Sequence, residues 1–320
     1  MKLIKNRLCR IILLIIFTFL FFCSSKEKHE DKVRLGYLDN DLHHLAAFVA
    51  IEKGFFRESG VDVEVAGVFK AGPEEMSAFG ADALDIGYVG LAPATVAKSN
   101  GVADVKIVAQ ANCEGSSVVV GRDSAVTAVS GLKGKIIAIP GNGTVQDLLI
   151  HKLLDENRIL DGVNIVVIKP PEMAPVLLKK EIDGFISWEP YPSKVENEGT
   201  GRVLINTGQI WENHPCCVLV VSKKLFMKSQ KTIGGIVKAH IKATDYINSH
   251  PDEAAKIAEK YTGMNTDVIK SAMKRIKFVW LPDKKRAEDY ISFLNKMGYI
   301  KEENSEKFLG EFIDESFCKR

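Results

Sequence analysis

From Val33 onward, short apolar segments alternate with amphipathic ones, and this rhythm restricts the fold more than any other feature of the chain. "VRLGYL" reads as a strand, and "LHHLAAFVAIEKGFF" carries helical periodicity to Gly60. "VDVEVAGV" alternates with period two, and "GPEEMSAFGAD" reads as a helix opened by Gly72 and Pro73. "LDIGYVG" is a third strand, "APATVAKSNG" a helix closed at Gly101, and "VKIVAQAN" a further strand. A second run of the same kind begins near Ser116, with "KIIAIPG", "TVQDLLIHKLLDENRI", "VNIVVIKP", "PEMAPVLLKKEI", "DGFISWEP" and "RVLINTG". Beyond "CCVLVVS" the remainder reads as helical. Repeated strand–helix–strand units predict parallel sheets with helices on both faces. The length of 320 residues suits about two domains. With no linker between the runs, the chain is expected to cross between two α/β units more than once.

The N-terminus has a different character. Lys2, Lys5, Arg7 and Arg10 precede "IILLIIFTFLFF" (residues 11–22). Twelve helical residues span roughly 18 Å, short of a roughly 30 Å hydrocarbon core, so residues 1–22 read as a secretory signal. Cys23, with Leu20 three positions before it, resembles the acylated cysteine of prokaryotic lipoproteins, although Phe22 stands where that pattern has a small residue. Residues 23–32 then read as a tether, placing the protein outside the cytoplasm and at a membrane. Removing residues 1–22 leaves 39 basic against 41 acidic residues and no basic stripe, which argues against a nucleic-acid partner.

Three stretches, "LHHLAAFVAIEKGFFRESGVDVEV", "ALDIGYVGLAPA" and "DGFISWEPYPSKV", occur in an order and spacing that resemble the solute-binding proteins of ABC importers for nitrate, sulfonates, taurine and thiamine precursors. The resemblance implies two Rossmann-like α/β lobes joined by two crossing strands around a ligand cleft, the type II periplasmic binding protein fold. Lobe 1 would hold 33–113 and 219–320, and lobe 2 would hold 114–218. "ANCEGSS" would be the outgoing crossing and "HPCCVLV" the return. The implied partners are a small-molecule ligand, an ABC permease and its ATPase, with a monomeric receptor, no cofactor and no metal.

Open α/β sheets bind ligands beyond the carboxyl ends of their strands, which selects four loops. In "DNDLHHL", Asp39 and Asn40 form a turn, Asp41 suits an N-cap, and His44 aligns with a histidine of the thiamine-precursor branch. His43, about 100° away on the same turn, is not expected to act with it. Gly90 in "YVGLAPA" allows close backbone approach. Asn142, Gly143 and Thr144 in "PGNGTVQD" open a helix whose free amides suit an anion, with Thr144 as a plain N-cap the bland alternative. Trp188 offers an apolar wall, and Glu189 accepts from an amine or a protonated ring. Asn112, Gly115, Ser116 and His214 join them from the two crossings. Because Glu189, Glu114 and His214 suit a bare oxyanion poorly, a zwitterion such as taurine or a nitrogen heterocycle fits better.

No cysteine pair has zinc spacing. On neighbouring crossings, Cys113 is placed to form a disulfide with one of Cys216 and Cys217, since adjacent strand residues face opposite sides. Small buried residues and a soft-metal or thiol-ligand contact beside His214 are the other readings. No nucleophile elbow, HExxH or paired-carboxylate motif is present, which argues for a receptor rather than an enzyme. Two alternatives stay open: a metal-binding receptor using His44, Cys113, Glu114, His214 and Cys216, and a pyrimidine-synthesis enzyme on the same fold.

Overall fold

A computed structural model describes residues 32–319. The signal segment, the Cys23 lipidation site and all of the tether except Lys32 lie outside those residues. Among the described residues, no helix is long and apolar enough to cross a membrane.

Two sheets organise the chain. The first contains β1 (Val33–Leu38), β2 (Val63–Phe69), β3 (Ile86–Gly90), β4 (Val105–Glu114), β10 (Pro215–Ser222) and β11 (Ile276–Phe278), in the order β11-β4-β10-β3-β1-β2. The second contains β5 (Ser116–Gly121), β6 (Ile136–Ile139), β7 (Asn164–Val167), β8 (Gly184–Trp188) and β9 (Gly201–Asn206), in the order β7-β6-β8-β5-β9. The chain leaves the first sheet between Glu114 and Ser116. It returns through the helix Thr207–Ile210 and a turn ending at His214.

The sheets are mixed rather than wholly parallel. β1, β2 and β3 pair in parallel, as do β6, β7 and β8. The strands next to the crossings run the other way: β10 is antiparallel to β3 and β4, and β5 to β8 and β9. The reason is topological. A strand that arrives from the other sheet enters at the end where the parallel strands finish, so it must run backwards through them. The last third is also not purely helical, because β11 adds an antiparallel edge strand to β4.

Burial follows position. β3 and β10 are central and buried along their whole length, whereas the edge strand β2 exposes most of its residues. Over the first sheet, the helix Leu45–Glu52 is buried from Leu45 to Ala50, and Phe48 stacks on Tyr261 at 4.2 Å. The second sheet has its own cluster around Val119, Ala138, Met173 and Phe185.

Candidate functional site

Because β10 runs antiparallel to β3, its first residues lie at the carboxyl end of β3, with Cys217 opposite Gly90. This end of a sheet is where such folds place ligands. A narrow, tight cavity of about 10 Å³ opens there. Three helix starts face it, at Gly72, at Gly90–Pro93 and at Thr144–Gln146. The first two have no side-chain cap, while Thr144 caps the third by accepting from the Asp147 N–H at 3.2 Å. Unpaired first-turn amides and the positive dipole end make each of these starts a donor toward negative charge. Gly90 lets the helix start at Val145 approach, because a Cβ there would lie 3.0 Å from Val145 Cγ2. Leu38 and Trp188 supply apolar wall.

The floor is formed by Asp41, His43, Cys216 and Cys217, each no more than 3% exposed. Adjacent strand residues ordinarily face opposite ways, but the register of β10 slips between Pro215 and Cys217. The extra residue of this bulge turns both thiols to one side. Cys216 Sγ lies 3.4 Å and Cys217 Sγ 3.8 Å from His43 Nδ1, and the two sulfurs are 4.0 Å apart. The expected disulfide does not form: Cys113, Cys216, Cys217 and Cys318 are all free, and Cys113 pairs across the ladder with Pro215.

His43 Nε2 donates to the Gly115 carbonyl at 2.8 Å, leaving Nδ1 to face the sulfurs. The Asp41 carboxylate lies between the two histidines, with Oδ1 3.4 Å from His43 Nδ1 and Oδ2 3.6 Å from His44 Nε2. Both histidine rings thus border the same carboxyl group. Burial opposes charge on every group here, yet the His43 imidazole rises to about 9 because the Cys216 thiolate and Asp41 face it. Cys216 is correspondingly held well below the ordinary thiol range: burial pushes it up, but the Cys217 thiol hydrogen bond and the His43 charge outweigh that. Burial lifts Asp41 to about 7, partly offset by His43.

A model of the NMT1-like family matches residues 26–261. The chain belongs to the NMT1-like family. It is 26% identical over 256 residues to the Bacillus subtilis (strain 168) "Putative aliphatic sulfonates-binding protein", covering 78% of this chain and 76% of that one. Two solved structures share the fold at a TM-score of 0.79. One is the ligand-binding component of an ABC-type import system from Staphylococcus aureus with zinc bound, 18% identical, covering 89% of this chain and 97% of that one. The other is the periplasmic nitrate-binding protein NrtA from Synechocystis PCC 6803, 17% identical, covering 90% and 87%.

In this NMT1-like chain the residues expected to bind ligand separate into two groups. Gly90, Thr144 and Trp188 line the cavity. Asp39 instead pairs with Lys70 Nζ at 2.7 Å, Asn40 occupies a left-handed turn (φ 53°), and Asn142 is exposed. Gly143 (φ 72°) donates its N–H to Asp147. His44 Nδ1 accepts from the Leu38 N–H at 3.1 Å. Asn112 braces the crossing, accepting from Cys217 N–H and donating to the Glu114 carbonyl. Ser116 accepts from Gln146 Nε2 at 2.9 Å. His214 is buried against Tyr290, its Nδ1 3.3 Å from the phenol oxygen, and does not line the cavity. Glu189 faces away from it, into an ion pair with Arg275 at 2.8 Å, so it offers no acceptor to a ligand. Gly115 and Ser116 border a separate depression that includes Asn206, Gln209 and Arg275. Reading the loops in isolation missed Asp41, His43, Gln146 and both cysteines as cavity lining. The signal for them is joint: "DLHH" follows β1 and "HPCC" opens β10, and only the strand order brings the two together.

Proposed function

We propose that this chain is an extracytoplasmic, lipid-anchored receptor that traps a small zwitterionic sulfonate of the taurine class and delivers it to an ABC permease. The observation that carries this reading is the polarity of the cavity. Three helix starts and the Asp41 carboxyl group line it, a fit for a molecule with a sulfonate at one end and an ammonium at the other. The cavity as it stands is tight, about 10 Å³, so a solute enters when the two lobes open. The sheets with their helices act as two lobes. The hinge runs through Glu114 and Gly115, both at positive φ, and through the return segment 207–214. Solute binding shifts the open–closed balance by its preference for the closed form. Capture of this kind needs no chemical step, and the reading is of a receptor rather than an enzyme. A nitrogen heterocycle, held by Trp188 and Asp41, is the second reading.

A thermal-shift screen with taurine, alkanesulfonates, nitrate, bicarbonate, hydroxymethylpyrimidine and riboflavin tests it. A solute held at 100 times its Kd adds about 2.7 kcal/mol of stability. A shift with taurine is the expected outcome, one with the heterocycles alone moves the assignment to the second reading, and no shift with any of them sinks both. Replacing Cys23 with Ala should release the protein from the membrane fraction; continued membrane association would refute the lipid anchor.

A further inference from the structure

We propose that the cavity floor is a binding site for a thiophilic d10 cation of the zinc or cuprous class, held by His43 Nδ1 and the Cys216 and Cys217 sulfurs. The inference uses the cavity of the receptor reading but does not depend on its solute.

A tetrahedral ion with metal–sulfur bonds of about 2.3 Å and metal–nitrogen bonds of about 2.0–2.1 Å sets its donors about 3.8 Å apart for two sulfurs and about 3.6 Å for sulfur and nitrogen. The observed separations are 4.0 Å between the sulfurs, and 3.4 and 3.8 Å from sulfur to His43 Nδ1. The His43, Cys216 and Cys217 donors thus already lie near the separations an ion would impose, all within 4.8 Å of one another.

The surroundings support these donors. The Nε2–H bond to Gly115 leaves Nδ1 as the ring nitrogen that faces the sulfurs, the arrangement by which metal-binding histidines are oriented. His44 does not join them: its Nδ1 accepts from Leu38, so Nε2 carries the proton, 3.6 Å from Asp41 Oδ2 and beyond hydrogen-bond reach. Among the described residues, no lysine or arginine lines the cavity. Two sulfurs and one imidazole select soft or borderline ions over magnesium or calcium. Because the outgoing crossing supplies the Gly115 carbonyl, the ring that would hold the ion is also fastened to the hinge.

The test is titration of the reduced, metal-free full-length chain with Zn²⁺ and with Cu⁺ against a chromogenic chelator, with Co²⁺ as spectroscopic probe. One ion per chain is expected, with a thiolate-to-cobalt charge-transfer band. Cys216→Ser, Cys217→Ser and His43→Gln should each weaken binding about 100-fold or more and abolish or alter that band. The Cys113→Ser/Cys318→Ser double variant should bind like the parent, and urea melts of the metal-free variants establish that each is folded. Tight binding of either ion at these residues supports the site, and the tighter arm names the ion. Absence of stoichiometric binding in both arms, or binding unchanged in the Cys216→Ser/Cys217→Ser double variant, overturns it. The solute screen on the metal-free chain separates the two readings, since a taurine shift without cation binding sinks this inference alone.

Discussion

Two polar clusters lie where the first and second sheets meet, and the chain treats them in opposite ways. Around Arg275 every partner is answered: Nη1 reaches Glu189 at 2.8 Å and Ser193 at 3.0 Å, Nη2 reaches Glu196 at 2.5 Å, and the Ser193 N–H donates to the second Glu189 oxygen. Around His43, acceptors and thiols converge on one nitrogen. Nearby, both Glu75 oxygens, the Trp188 indole N–H and His44 Nε2 are buried without a hydrogen-bond partner. Unpartnered buried groups are costly in a low-dielectric interior. A sequence that completes one network and leaves its neighbour incomplete has optimised the first for stability and the second for something it binds. The difference separates Glu189, which resembles a ligand residue in sequence, from Asp41, which resembles a helix cap.

The comparison is tested first where the expected effect is largest. Arg275→Ala leaves Glu189 buried without its counter-ion, and should cost about 3–5 kcal/mol in urea denaturation. The double variant Arg275→Met/Glu189→Gln should recover most of that loss. A cost below about 1 kcal/mol for the single change would show that the completed network does not hold the junction.

A second test uses a histidine that is satisfied as the neutral ring. His240 Nε2 donates to the Gln110 carbonyl at 2.7 Å, and Nδ1 accepts from Tyr88 at 3.0 Å. Burial, only partly offset by the Gln110 bond, lowers its pKa to about 4. The unfolded chain takes up a proton near pH 6.5 and the folded chain does not. This contribution is therefore complete above pH 6.5 and lost as the pH falls toward 4, by about 3 kcal/mol in all. Replacing His240 with Gln should remove that part of the pH slope. An unchanged slope would mean that other groups set it.

Most of the fold was legible because its signals are local. Period-two and period-3.6 patterning, the Gly72–Pro73 start and the Thr144 cap each depend on a few adjacent residues, and the structure reproduces them. What was not legible depends on strand order and register. Antiparallel β10 follows from the path of the crossing, and the common direction of Cys216 and Cys217 follows from a one-residue slip. Neither leaves a mark in composition or spacing. The roles of Glu189 and Arg275 were hidden because the partners are 86 residues apart in the chain.

Gly115 is where the two clusters come closest to sharing a backbone atom, and a change there should have an intermediate effect. Its φ of +89° disfavours any side chain, and a Cβ would collide with His43 Nε2. Gly115→Ala should cost about 1–3 kcal/mol and displace His43 as well. If its urea midpoint matches the parent, the crossing is more pliable than its backbone suggests.

The last test concerns Glu75, and its sign is opposite. The side chain is fully buried, and burial, reinforced by Asp41, holds its pKa well above the ordinary carboxyl range. In the unfolded chain the group ionises near pH 4.5, whereas the folded chain keeps the proton. The parent therefore loses stability as the pH rises above that value, until the folded carboxyl also ionises. Glu75→Gln removes the ionisation and keeps the shape, so it should raise stability at pH 7, with the gain shrinking toward zero near pH 4. Paired urea melts at the two pH values measure it. A loss of stability at pH 7 would mean that Glu75 has a partner in the folded protein, and the contrast between a completed and an incomplete cluster would then fail at its most buried residue.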